Sequence, residues 1–304
     1  MPEARTGLGI AARANRAHTP RRRKARDRRL TARVVAGLLL ALAVAVAAWR
    51  ARTLAPSGVV AATLLGAAAV AAGWSYAILL VLYFVLSASL TRFGAERKER
   101  RTASIVAKSG GRDAAQVLAN GAVFGAAALM TVVHPWVGWE AAAVGALAAS
   151  SADTWATEIG TLWGGTPRSV WSWRKVPAGT SGGVTVDGTL GLVAGAAVTA
   201  FVGWILLSRA ETTGARSAAF LIAVAAFGGG IAGALLDTAL GGSIQERRRC
   251  QGCGMHTERW IHSCGSRTRY AGGVRGLNND AVNLVATLGG GATALGVAEL
   301  MLRH

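Results

Sequence analysis

The chain has 304 residues, 52% of them hydrophobic and only 16% charged, with a formal net charge of +18. A positive mean hydropathy of +0.38 and apolar runs along nearly the whole length exclude a soluble enzyme and indicate a polytopic membrane protein. No soluble segment is long enough to fold as a domain of its own.

Residues 1–32 form a basic tail, expected to be disordered and cytoplasmic, with ten Lys or Arg ahead of Arg33, among them Arg21-Arg22-Arg23-Lys24. Beside a membrane helix such a run meets anionic lipid headgroups and holds the tail in the cytoplasm, a reading preferred here to nucleic-acid binding. The basic region is too long for a signal peptide. Membrane spans are predicted at Arg33–Trp49, Trp74–Leu90, Gln116–Val133, Trp139–Trp155, Leu190–Leu207, Ala218–Leu240 and Ala281–Leu302. Between the first two, Leu54–Gly73 opens with Pro56, Ser57 and Gly58 and suits a re-entrant hairpin. Charge decides this: Arg92–Arg112 and Ser243–Asp280 carry seven basic residues each, while Pro135–Gly138 carries none. A full crossing at Leu54–Gly73 would put the tail and Arg92–Arg112 on opposite sides, against the positive-inside rule. The predicted fold class is therefore all-α: a membrane domain over 33–304, seven spans plus one re-entrant hairpin in a cell membrane. The N-terminus and the loops 92–112, 160–188 and 243–280 would be cytoplasmic, and the C-terminus outside.

Polar residues gather toward those loops in four clusters. Lys108, Arg112, Asp113, Gln116 and Asn120 enter the third span. In Ser150–Glu158, about 100° per residue puts Ser150, Ser151, Asp153, Thr154, Thr157 and Glu158 within an arc of roughly 160°. Ala152, Trp155, Ala156 and Ile159 fill the other side as a lipid-facing wall. Ionisable groups in hydrocarbon are costly and default to a functional reading. The third cluster, Gly179 to Thr189, holds Gly182, Gly183, Thr185 and Gly188. Its backbone N–H groups could cradle phosphate, or it is a flexible loop whose Thr or Asp caps the next helix. The fourth joins Asp237 with Arg275, Asn278, Asn279, Asp280 and Asn283. Capping by Asn278 or Asn279, with Asp280 at the helix's positive end, explains part of it but not Asn283 or Asp237.

The carboxylates Asp153, Glu158, Asp237 and Asp280 with Lys108, Arg112 and Arg275 suit magnesium-assisted phosphoryl transfer. Magnesium takes oxygen ligands, here Asp153, Glu158 and Asp237, and cations neutralise the remaining phosphate charge. A different class of reading is a transporter or flippase for a phosphorylated lipid or small anion, using the same carboxylates and broken helices near the midplane. A scaffold whose working part is the tail is a third. All three cysteines lie in one stretch, Cys250, Cys253 and Cys264, with His256 and His262 nearby. Cys250, Cys253, His262 and Cys264 have the composition of a structural zinc site, against free thiols as the alternative.

The order Thr91-Arg92-Phe93, Gln116 to Gly121, Ser151-Ala-Asp-Thr-Trp-Ala-Thr-Glu-Ile-Gly160, Gly182-Gly-Val-Thr185, Leu235-Leu-Asp237 and Leu277-Asn-Asn-Asp-Ala-Val-Asn283 resembles a known family. It is similar to the polytopic membrane family of human transmembrane protein nineteen and the plant chloroplast phytyl-phosphate kinase. Many bacterial and archaeal members of that family carry a domain-of-unknown-function label. The resemblance runs from about Val34 to the C-terminus. It implies an integral membrane kinase of isoprenoid monophosphates, phytyl or another prenyl, using magnesium and a nucleoside triphosphate, ATP or CTP. Both lines together assign Asp153, Glu158, Asp237, Asp280 and Asn283 to the reaction. Lys108, Arg112, Asn120, Gly182, Gly183, Thr185, Arg275 and Asn279 would hold the substrates.

Overall fold

The computed structural model describes residues 20–106, 110–209 and 213–304. Eight long helices and one short one make up most of these: α1 Pro20–Arg50, α2 Pro56–Ala72, α3 Trp74–Arg92, α4 Ala95–Thr102, α5 Ala114–Val133, α6 Val137–Trp163, α7 Val186–Leu207, α8 Thr213–Ser243 and α9 Asn279–Arg303. Strands β1 Arg168–Ser169 and β2 Gly183–Val184 pair antiparallel, and β3 Arg247–Cys250, β4 His256–Thr257 and β5 Thr268–Gly272 form a small antiparallel sheet in the order β4-β3-β5. The loops after α6 and α8 thus carry sheet structure that an all-α reading leaves out.

The long helices alternate in direction. Gly37 meets Val70 and Gly66 meets Ala41, which sets α1 antiparallel to α2. Tyr83 bonds Ser150 and Thr91 bonds Glu158, so α3 runs parallel to α6. Contacts of Gly203 with Val144 and of Gly191 with Trp155 reverse α7 against α6, and those of Gly233 with Ala286 and Gly229 with Ala294 reverse α9 against α8. At one end of the bundle lie α4, both sheets and all the polar clusters. The start of α1 and the C-terminus lie at the other.

This corrects two expectations. Leu54–Gly73 is not a hairpin: α2 is one uninterrupted 17-residue helix, about 25 Å long, which delivers the chain to the far end where α3 begins. Pro56 opens it, where the missing N–H costs nothing, and the N–H of the preceding residue, Ala55, bonds the Arg112 carbonyl at 2.9 Å. Consequently Pro20–Ala32, the described part of the basic segment, and the long loops lie at opposite ends, not together. The segment from Pro20 to Ala32 is helical, continuous with the first span, while residues 1–19 lie outside the described residues.

Five helices, α3, α5, α7, most of α8 and α9, are long and apolar enough to cross a membrane. Although α6 spans 27 residues, it is not among them. The reason is its position: α5, α7, α8 and α9 all pack on it, and Ala141 to Ala152 are buried throughout. A helix surrounded by protein needs small residues for close packing more than it needs hydrocarbon affinity. The expected lipid-facing wall is therefore a protein contact, with Ala152 fully buried against Leu192 and Ala196 of α7. Aromatic side chains ring both ends, with Trp49, Phe93, Trp163, Trp171 and Trp173 exposed near the loops and Trp74, Trp204 and Phe220 at the far end. Such belts mark the two water–lipid interfaces.

Candidate functional site: an acidic cleft between four helices

The site is built where α5, α6, α8 and α9 converge. Asn120, Ala149, Ser150, Asp153, Asp237, Asn283, Ala286 and Thr287 line one narrow polar cleft. Asp237 is six residues from the end of α8 and Asn283 four from the start of α9, so the cleft lies about 6–10 Å below the loop end. Side-chain caps fix three of the helix starts at this end. Asp113 and Gln116 form a reciprocal capping box on α5, Thr185 Oγ1 accepts from Gly188 N–H on α7, and Asn278 Oδ1 accepts from Ala281 N–H on α9.

One wall of the cleft is a hydrogen-bonded chain. Tyr83 and Ser150 hydroxyls lie 2.7 Å apart, Ser150 Oγ donates to Asn120 Oδ1 at 2.6 Å, and Asn120 Nδ2 donates to the Gln116 carbonyl at 2.8 Å. On the opposite wall the Asn283 amide faces Asp237 Oδ2 at 2.8 Å and the Asn279 carbonyl at 3.2 Å, and the orientation that satisfies both acceptors is the one in which Nδ2 donates to them. The Asn283 side chain that helix capping left unexplained thus positions a carboxylate. Asp153 and Asp237 are near enough for their charges to interact, and no cation pairs with either among the described residues. Two like charges held this close call for a cation or for protonation.

A third carboxylate enters from above. Glu258, just beyond β4, accepts from Ser181 Oγ at 2.6 Å and from Gln245 Nε2 at 2.7 Å, and its charge also acts on Asp237. Its own N–H bonds the Ile105 carbonyl, and Arg259 Nε donates to the Val106 carbonyl at 2.7 Å. The small sheet is thereby docked across the mouth of the bundle. Sequence reading missed Glu258, because its spacing from the cysteines carries no signal of proximity to a helix 21 residues earlier.

Other expected residues are placed differently. Glu158 is outside the cleft: it accepts from Thr91 Oγ1 at 2.6 Å and pairs with Lys98 Nζ at 2.5 Å. Five residues after Asp153, it points about 140° away around α6, toward α3 and α4. The loop glycines serve packing. Gly182 has φ +75°, and a Cβ there would come 2.3 Å from Gly242 Cα at the end of α8. Gly183 lies in β2, and Thr185 is the helix cap already described. Thr185 thus caps α7, one of the two roles expected of this loop. Asp280 is buried in the first turn of α9 without lining the cleft, and Asn279 is exposed beside it. Arg275 is exposed and stacks over Tyr270 at 4.8 Å. Arg112 holds the α2 start through its backbone, and Lys108 lies outside the described residues.

The cysteine-bearing sheet brings Cys250, Cys253, His262 and Cys264 together, their ligand atoms all within 4.8 Å of one another. His256 is exposed and apart from them. The His262 hydrogen bond, with further bonds from Ser266, pulls the Cys264 thiol down to about 6. The cleft offers a different donor set, two carboxylates and amide and hydroxyl oxygens. That set fits magnesium, which takes one or two carboxylates and leaves remaining positions to water and phosphate.

Residues 39–291 match the model of the integral membrane protein DUF92 family. The chain belongs to that family. Among its relatives, Protein PGR of Arabidopsis thaliana is 28% identical over 276 residues, 84% of this chain and 93% of the plant protein. The uncharacterized membrane protein MJ0933 of Methanocaldococcus jannaschii is 29% identical over 222 residues, covering 72% and 74% of the two chains. The uncharacterized membrane protein sll0875 of Synechocystis is 31% identical over 133 residues, covering 42% and 51%. No solved structure matches the chain. The DUF92 match takes in every residue of the cleft and of the cysteine cluster. It confirms the family expected from the Asp-Thr-Trp-Ala and Asn-Asp-x-x-Asn motifs, and with it an integral membrane protein of several apolar helices.

Proposed function

We propose that this DUF92 protein transfers a phosphoryl group from a nucleoside triphosphate to an isoprenoid monophosphate in a magnesium-dependent reaction. The observation that carries the reading is the Asp153–Asp237 pair, two carboxylates in one cleft without a cationic partner among the described residues, with Asn283 orienting the second. Four residues of the motifs that resemble the phytyl-phosphate kinase family, Asn120, Asp153, Asp237 and Asn283, line this cleft, and that resemblance supports the class of acceptor. Asp153 and Asp237 would hold the magnesium, whose contribution is to neutralise charge on the transferred group.

The chain's own part is positioning and charge. An oxygen of the acceptor monophosphate attacks the γ-phosphorus, the bond to the bridging oxygen breaks, and nucleoside diphosphate leaves. The acceptor is anionic at neutral pH, so no general base is needed; Asn120 and Ser150 orient substrate oxygens across from the carboxylates. A cleft under the loop end lets nucleotide arrive from water and the prenyl chain lie among the helices. The loop end is then the nucleotide-facing, cytoplasmic side. Transport has less support, since α6 and α8 run unbroken past both aspartates instead of unwinding there.

Purified protein, magnesium, geranylgeranyl or phytyl monophosphate and labelled ATP or CTP provide the test. Diphosphate formed by wild type and not by Asp153→Asn is the expected result. Absence of product from folded wild type with every pairing would overturn the reading.

A further inference from the structure

The cysteine cluster lies outside the acidic cleft and takes no part in the reaction proposed for it, yet its geometry is specific. Cys250 and Cys264 sulfurs are 3.5 Å apart, Cys264 and Cys253 sulfurs 4.0 Å. His262 Nδ1 lies 3.4 Å from Cys253 Sγ and 3.2 Å from Cys264 Sγ. Ligands about 2.3 Å (S) and 2.0–2.1 Å (N) from a tetrahedral zinc are separated by roughly 3.5–3.8 Å. The observed spacings bracket that range. They do not fit a disulfide, whose sulfurs would be about 2.05 Å apart.

The fold supplies the four donors from three places. Cys250 ends β3, Cys253 follows in the turn before β4, and His262 and Cys264 come from the turn leading to β5. His262 and Cys264, one residue apart, are brought onto the same centre by a tight turn in which Gly265 N–H bonds the His262 carbonyl and Gly265 takes φ +82°. Cys250 and His262 are buried, while Cys253 and Cys264 are exposed. Hydrogen bonds such as Gln251 N–H to the Arg267 carbonyl and His262 N–H to the Ser266 carbonyl run between these turns, but little apolar packing holds them. The three strands total eleven residues, and the largest side chain near them, Trp260, is 72% exposed and stacks on Arg248 at 3.5 Å. A sheet this small has too little apolar surface to stand without a cross-link.

We propose that Cys250, Cys253, His262 Nδ1 and Cys264 bind one zinc ion, a closed four-ligand site that ties β3, β4 and β5 into a rigid cap. Binding releases the thiol protons and leaves three thiolates and a neutral imidazole on the metal. Because all four positions are filled by protein, the ion is structural and activates no water. Its consequence falls on Glu258, one residue beyond β4, which the cap holds beside Ser181 and Gln245 above Asp237. The zinc assignment does not depend on the reaction proposed for the cleft.

Full-length protein, purified under reducing conditions without added metal, gives the test by elemental analysis. The expected result is one zinc per chain, released stoichiometrically when a mercurial reagent titrates the three thiols. Cys264→Ser and His262→Ala should lose the ion, and Asp153→Asn should keep it. Cobalt-grown protein should show the visible absorption of a tetrahedral cobalt–thiolate centre. Substoichiometric zinc in folded wild type, a Cys250–Cys264 disulfide found by mass spectrometry, or zinc lost from Asp153→Asn but kept in the cysteine variants would overturn the assignment. The mercurial titration reads wild type alone, so the outcome stands even where a cysteine variant fails to fold.

Discussion

Lys98 of α4 and Glu158 of α6 form an ion pair of 2.5 Å that is largely shielded from solvent, their side chains only 8% and 16% exposed. Lys98 Nζ also donates to the carbonyls of Leu90 and Thr91, and Arg101 of the same short helix donates to Thr161 at 2.5 Å and to Gly165. One face of α4 thus satisfies the end of α3, the end of α6 and a carboxylate between them.

Removing one partner leaves the other charge shielded from water and unpaired, which costs about 3 kcal/mol. Lys98→Met and Glu158→Met should each lower the thermal midpoint in detergent by several degrees. The double variant should be more stable than the sum of the two losses. Additive losses would show that the two side chains do not depend on one another.

Asp153 and Asp237 are expected to matter to turnover and not to folding. Asp153→Asn and Asp237→Asn should each reduce phosphoryl transfer at least about 100-fold, the scale of losing one well-placed electrostatic group. Relief of like-charge repulsion should leave the unfolding midpoint unchanged or raised. Because the two act on one centre, the double variant should be little worse than either single one. A strongly destabilised Asp237→Asn would assign that residue to packing instead.

Gly182→Ala places a methyl group 2.3 Å from Gly242 Cα at a backbone φ of +75°. Both effects oppose folding, and together they should cost about 1–3 kcal/mol. Ser208→Ala, at the far end of α7, should cost much less; comparison of the two midpoints by thermal scanning checks the contact.

Glu246 links the small sheet to the start of α9. The Gly276 N–H donates to its carboxylate at 2.8 Å and Arg248 at 2.6 Å, and the Gly276 bond first, with Arg248, holds it below the usual carboxylate range. A lowered folded value means the carboxylate's contribution is complete above its unfolded value, about 4.3, and disappears as pH falls through the folded one. Between neutral pH and pH 3, Glu246→Gln should therefore lose less stability on acidification than wild type. Thermal midpoints at a series of pH values give the comparison, and parallel curves would contradict it.

Periodic, local features were legible in the sequence. The long spans, the capping by Asn278 and Thr185, the convergence of Asp153, Asp237, Asn120 and Asn283, and the grouping of Cys250, Cys253, His262 and Cys264 all follow from residue type and helical spacing. What was not legible depends on which helix faces which. The 160° polar arc on α6 divides between two neighbours, so Asp153 meets α8 while Glu158 meets Lys98. Lys98 and Arg101 stand three apart in the charged octet Ala95–Thr102, a spacing that could have revealed a one-sided helix. The path of α2 from one end of the bundle to the other was not legible because charge counting weighed the tail, whereas that path is set by small residues, Gly58 and Gly66, packing on Arg112 and Ala41.

The alternation of eight long helices has one more consequence. An even number of alternating helices returns the chain to the end it started from, so Pro20 and His304 both lie at the end away from the acidic cleft. Tags or reporter enzymes fused to Met1 and to His304 should report the same compartment, and one inserted in the 243–280 loop the other. A chain arranged this way keeps two surfaces independent. The end at which α1 begins and α9 finishes is thus separate from the end onto which the acidic cleft opens.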